Sequence, residues 1–67
     1  MTSRALDADG LRAVREGVTA VGITLEEVRQ HLREGVTGVG LEDALLDLER
    51  AAHAARRTYD LERARRE

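Results

Sequence analysis

The chain has 67 residues, a net charge of -2 and neither cysteine nor proline, so it holds one domain at most and no disulfide or thiolate metal site. Tyr59 is the only aromatic residue, and 36% of the residues are charged in near balance, which excludes an overall electrostatic pull toward nucleic acid. A core built here must be aliphatic. A chain this short buries only about 60% of the surface its unfolded form exposes, so self-association is the expected staple. No apolar run approaches the roughly 20 residues that span a bilayer. The opening MTSRALDADG lacks the apolar centre of a signal peptide. The expectation is a soluble, cytoplasmic protein with no membrane partner.

The elements follow in chain order. Leu11, Val14, Val18 and Val21 recur at helical steps. They predict a first helix over 9–21, capped by Asp9 or begun earlier at Ser3. Gly17 inside it costs about 1 kcal/mol relative to Ala, and Gly22 is the expected stop. Thr24 and Glu27 then form a capping box, with Ile23 and Val28 as a hydrophobic staple. A second short helix is expected over 25–34, ended by Gly35 in the left-handed conformation.

The third segment, 41–65, has no Gly and is rich in Leu, Ala, Glu and Arg. Its acids come early and its arginines late, which suits the helix dipole. Leu41, Ala44, Leu45, Leu48, Ala51, Ala52, Ala55 and Tyr59 form one apolar stripe. About 25 helical residues reach roughly 37 Å. Two short helices cannot cover that length, so a helix from a second chain is the expected cover, in a coiled coil.

One phrase is written twice. REGVTAVG begins at Arg15 and REGVTGVG at Arg33. Its β-branched stretches, VTAVGIT at 18–24 and VTGV at 36–39, offer a rival reading as two short strands. Two-stranded sheets are marginal alone, which favours turns between helices.

Candidate chemistry is sparse. GVGLEDAL, Gly38 to Leu45, has the glycine spacing of a phosphate-binding helical hairpin, but Glu42 and Asp43 follow where such a site wants Lys or Arg. The segment 11–34 also reads as a helix-turn-helix, yet Glu26 and Glu27 occupy the turn that would meet DNA. Glu27/His31 and Glu49/His53 are spaced as metal-ligand pairs and equally as ordinary surface pairs. No Ser/His/Asp or Cys/His set exists, so no enzyme, cofactor or metal is expected. Arg56, Arg57, Arg63, Arg65 and Arg66 are candidate contacts to phosphate or an acidic partner, diluted by Asp60 and Glu62.

The stretch DADGLRAVREGVTAVGITLEEVRQHL, from Asp7 to Leu32, resembles the region that follows the winged helix in MerR-type transcriptional regulators. Val21 to Val28 resembles their turn into a short helix, and Leu41 to Arg66 resembles their long dimerisation helix. The resemblance does not include a winged helix. What it implies is an antiparallel helical dimer more than DNA binding.

Together these features predict an all-α domain of two short helices and one long C-terminal helix, forming a homodimer. Leu41, Leu45, Leu48, Ala52, Ala55 and Tyr59 are the expected dimer interface. Leu46 and Leu61, off the stripe, are the expected contacts to a further protein partner. The expected function is a non-catalytic interaction module, a dimeric adaptor or regulator. The alternatives are a nucleic-acid-binding regulator using 11–34 and the basic tail, and an accessory subunit of an enzyme complex.

Overall fold

The structure, a computed structural model, describes residues 6–66 and shows two long helices joined by a tight turn. Helix α1 runs Ala8–Arg33 and α2 runs Val39–Arg66. They lie side by side as an antiparallel hairpin 51 Å long and about 16 Å across. Among the described residues there is no strand, so 18–24 and 36–39 are not a β-unit.

The first two expected helices are one. Helix α1 passes through 22–24 without a break. Thr24 does not cap a new helix; its hydroxyl donates back to the carbonyls of Val21 at 2.9 Å and Ala20 at 3.3 Å. Local signals favoured a stop there, but Leu11, Val14, Val18, Val21, Leu25, Val28 and Leu32 keep one helical phase across it. Breaking the helix would have cut that stripe in two. The N-cap is Asp7 rather than Asp9, and its Oδ1 accepts from Gly10 N at 2.7 Å. Ser3 lies outside the described residues. Helix α2 slightly exceeds the expected 41–65 at both ends.

The turn is made by glycine. Gly35 (φ 72°) and Gly38 (φ 78°) take the left-handed conformation that a Cβ disfavours. Val36 N donates to His31 O at 2.8 Å and Gly35 N to Leu32 O at 3.2 Å, which satisfies the last carbonyls of α1. The first copy of the repeated phrase carries Ala20 where the second carries Gly38. That single difference removes one of the two left-handed positions, and the first copy stays helical.

The helices meet along a seam whose residues step by three and four. On α1 it comprises Gly10, Val14, Gly17, Val21, Thr24, Val28 and His31; on α2, Leu41, Ala44, Leu48, Ala51, Ala55, Thr58 and Glu62. All are buried or half-buried. This is the spacing of a coiled coil. Small residues let the backbones close in. A Cβ on Gly17 would sit 3.2 Å from both Cα and Cβ of Ala55. The same closeness makes the core thin. Val28 and Ala44 are its buried apolar residues, and no described side chain is fully enclosed.

A bulky residue at the tightest crossing should pry the hairpin apart. Gly17→Leu is expected to lower stability by about 1–3 kcal/mol despite its better helix propensity. Urea denaturation followed by circular dichroism checks this; an unchanged midpoint would mean the helices are not held close at Gly17.

Candidate interaction surface

The seam divides the hairpin into two unlike faces. On one side, Glu27 and His31 of α1 and Asp43 and Asp47 of α2 line an open groove of about 380 Å³ near the turn. His31 is fixed there by Nδ1 donating to Glu27 O at 2.8 Å. Gly40 forms the floor, where a Cβ would meet Val36 Cγ1 at 3.2 Å and the His31 ring at 3.6 Å. Glu49 and His53 are exposed on α2 and do not line this groove. Among the described residues no three His, Asp or Glu side chains gather as metal ligands would.

The opposite face is apolar. Leu11, Val18, Leu25 and Leu32 recur every seven residues on α1, each one position past a seam residue. Leu45, Ala52 and Tyr59 do the same on α2. In an antiparallel pair these two rows flank the same side of the seam. All seven are exposed, Val18 at 58% and Leu32 at 60%. With half-buried Val14, Val21, Leu41 and Leu48 beneath them, they make a continuous strip along the hairpin. A contiguous exposed apolar strip of this kind is uncommon on a lone soluble domain.

Each sequence candidate now has a place. Leu41, Leu48 and Ala55 face α1 and are half-buried, whereas Leu45, Ala52 and Tyr59 stand on the exposed face. Leu46 and Leu61 are exposed away from it, Leu61 at 57%. The exposed row on α1 is absent from the expected interface because the expected break at Gly22 divides its apolar stripe between two helices. Its signal is the unbroken run of three- and four-residue steps from Leu11 to Leu32.

The basic end of α2 is engaged with its own acids. Arg56 Nε contacts Asp60 Oδ1 at 3.2 Å, Arg65 Nη1 contacts Glu62 Oε1 at 3.0 Å, and the Arg63 guanidinium lies 5.8 Å from the Tyr59 ring centre. Arg57 is exposed, and the Arg66 side chain lies outside what is described. The segment 11–34 contains no turn until Glu34, so it lacks helix-turn-helix geometry. Among the described residues no helix is long and apolar enough to cross a membrane.

Comparison with protein-family models, with curated proteins and with solved structures found no match.

On the outer surface, Arg33 Nη2 contacts Glu26 Oε2 at 2.8 Å and Gln30 Oε1 at 2.7 Å. The hydrogen bond and charge of Arg33 hold the Glu26 carboxyl below its ordinary value. A carboxylate depressed in the folded state favours folding above its unfolded pKa, and that contribution is lost as pH falls through the folded one. Both groups are exposed, so the effect on stability is small. Arg33→Ala should raise the Glu26 pKa toward the ordinary carboxylate value, read by carbon-detected NMR titration, with little change in melting. An unmoved Glu26 titration would show that Arg33 is not its partner.

Proposed function

We propose that this chain is a non-catalytic helical interaction module, a dimeric adaptor or regulator that works by offering the apolar face of its hairpin to another protein surface. The observation that carries this reading is the exposed row of Leu11, Val18, Leu25 and Leu32 beside Leu45, Ala52 and Tyr59. A single hairpin leaves these side chains in water, while among the described residues no side chain is fully enclosed. Burying a Leu or Val side chain contributes about 1.5–3 kcal/mol relative to leaving it exposed. Covering the face therefore stabilises the fold as well as forming the complex. The resemblance to the dimerisation helices of MerR-type regulators points the same way. Leu46 and Leu61, outside this face, are proposed contacts for a further partner once the first surface is covered.

Nucleic-acid binding through the arginines of α2 is the competing reading. The ion pairs of Arg56 and Arg65 and the uninterrupted helix over 11–33 give it less support. A phosphate-led complex would weaken steeply with salt.

Leu25→Glu tests the proposal. In an isolated hairpin, a substitution at this partly exposed position away from the seam should change stability by about 0.5 kcal/mol or less. In an associating module it places a charge in a buried apolar contact. Sedimentation velocity at micromolar concentration should show the unmodified chain associated and the variant monomeric. Helicity by circular dichroism should fall on dilution for the unmodified chain and be independent of concentration for the variant. A unmodified chain that stays monomeric with full helicity would contradict the reading. Tight, salt-sensitive binding of mixed-sequence duplex DNA would favour the competitor.

A further inference from the structure

We propose that the occupant of the apolar face is a second copy of the chain, docked with its turn at the opposite end, so that two hairpins form an all-antiparallel four-helix bundle. This rests on the reading of that face as an association surface and specifies its partner and geometry.

Register and charge point to this occupant. The exposed rows are bordered by a further row on each helix: Arg15, Gly22 and Arg29 on α1, and Glu42, Glu49, Arg56 and Arg63 on α2. On α2 this border is acidic toward the turn and basic toward the far end. Set antiparallel against itself about the step between Ala52 and His53, the border is self-complementary. Glu49 meets Arg56 of the partner subunit, and Glu42 meets Arg63 of the partner subunit. The apolar row is centred half a residue away, at Ala52, an offset of about 0.75 Å along the helix: Leu45 meets Tyr59 of the partner subunit, and Ala52 meets its own copy. A two-fold axis makes each contact twice, as an isologous dimer requires.

The same axis must also fit α1, and the hairpin fixes where it falls. Gly17 faces Ala55; stepping along both helices, Ala20 stands level with Ala52. Antiparallel pairing of α1 about Ala20 brings Val18 against Gly22 of the partner subunit. Gly22 has nothing within 4 Å of where its Cβ would be, and it weakens the middle of a helix by about 1 kcal/mol relative to Ala. No contact inside the hairpin accounts for a glycine there. A notch receiving Val18 of a second chain does. This register sets Arg15 beside Leu25 of the partner subunit, so the arginines of the α1 border do not oppose one another.

Docking with both turns at one end fits less well. It packs α1 on α2 of the partner and faces Arg29 with Glu42 of the partner subunit, but it sets Arg15 against Arg56 of the partner subunit and leaves Glu49 beside Gly22. The bundle with turns at opposite ends satisfies four ion pairs and has no such clash. Neighbouring helices are antiparallel in both arrangements, as in ordinary four-helix bundles, so the charges decide between them.

The chain has no cysteine, so single thiols report the geometry directly. Ala52→Cys should form a disulfide-linked dimer on mild oxidation of the full chain, because the two Cβ atoms meet on the axis. A mixture of Val18→Cys and Ala52→Cys chains should give little mixed disulfide. Dominance of the mixed disulfide would overturn the arrangement in favour of turns at one end, while leaving the face as an association surface. A charge exchange guards against a thiol variant that fails to fold. A chain with Glu42→Arg and Glu49→Arg, and another with Arg56→Glu and Arg63→Glu, should each self-associate about tenfold or more weakly. Their equimolar mixture should recover dimer by sedimentation. No recovery on mixing would also overturn the arrangement. An unmodified chain that remains monomeric would remove both this arrangement and the reading beneath it.

Discussion

The close approach of α1 and α2 at Gly17 and Ala55 is the contact on which the rest of the structure depends. It is made possible by small residues on both helices, with Gly10 and Gly17 facing a row that includes Ala44, Ala51 and Ala55. Close backbones give dense packing per residue but little enclosed apolar volume. At this crossing the seam has little room for large aliphatic side chains. Leu11, Val18, Leu25, Leu32 and Leu45 stand beside the seam, one position further round each helix, and the narrow core leaves the hairpin with an apolar face. Fold and proposed function share this origin. The residues that let one chain close on itself leave the larger ones available to another.

The repeated phrase shows how local and tertiary terms divide the work. REGVTAVG and REGVTGVG share seven of eight residues, yet one lies inside α1 and the other bends the chain. Gly38 permits the second left-handed residue that the turn uses, and Ala20 does not. Tertiary packing then acts on the same side as this local difference. Val18 and Val21 belong to a row that runs the length of α1, whereas Val36 packs over the turn against the position of Gly40. Gly22 could have ended a helix, but continuing it keeps the spacing from Leu11 to Leu32 intact.

Much of the architecture was legible in the sequence. The all-helical class, the extent of α2 and the role of Gly35 follow from composition, periodicity and the conformational freedom of glycine. The fusion of 9–21 with 25–34 was not, because Gly22 and the Thr24/Glu27 pair are strong local punctuation. Only the phase of the apolar residues on both sides overrules them, and the energy behind that phase comes from α2, which lies far along the chain. The candidate surface was half legible. Leu45, Ala52 and Tyr59 were visible as a stripe, but Leu41, Leu48 and Ala55 in that stripe turn toward α1. Deciding which half faces inward requires knowing that α1 is long enough to cover α2.

The groove lined by Glu27, Asp43 and Asp47 and the proposed association face lie on opposite sides of one seam. One side carries three carboxylates, and the other is apolar and bordered by charges of both signs. The most direct test is an isotope-filtered NOE experiment on labelled and unlabelled chains unfolded, mixed and refolded together. The account predicts Gly17–Ala55 cross-peaks within a chain, and cross-peaks between chains from the methyl groups of Val18, Leu25 and Leu45. Methyl groups of Val18, Leu25 and Leu45 that contact only their own chain, or Gly17–Ala55 contacts that arise between chains, would contradict it.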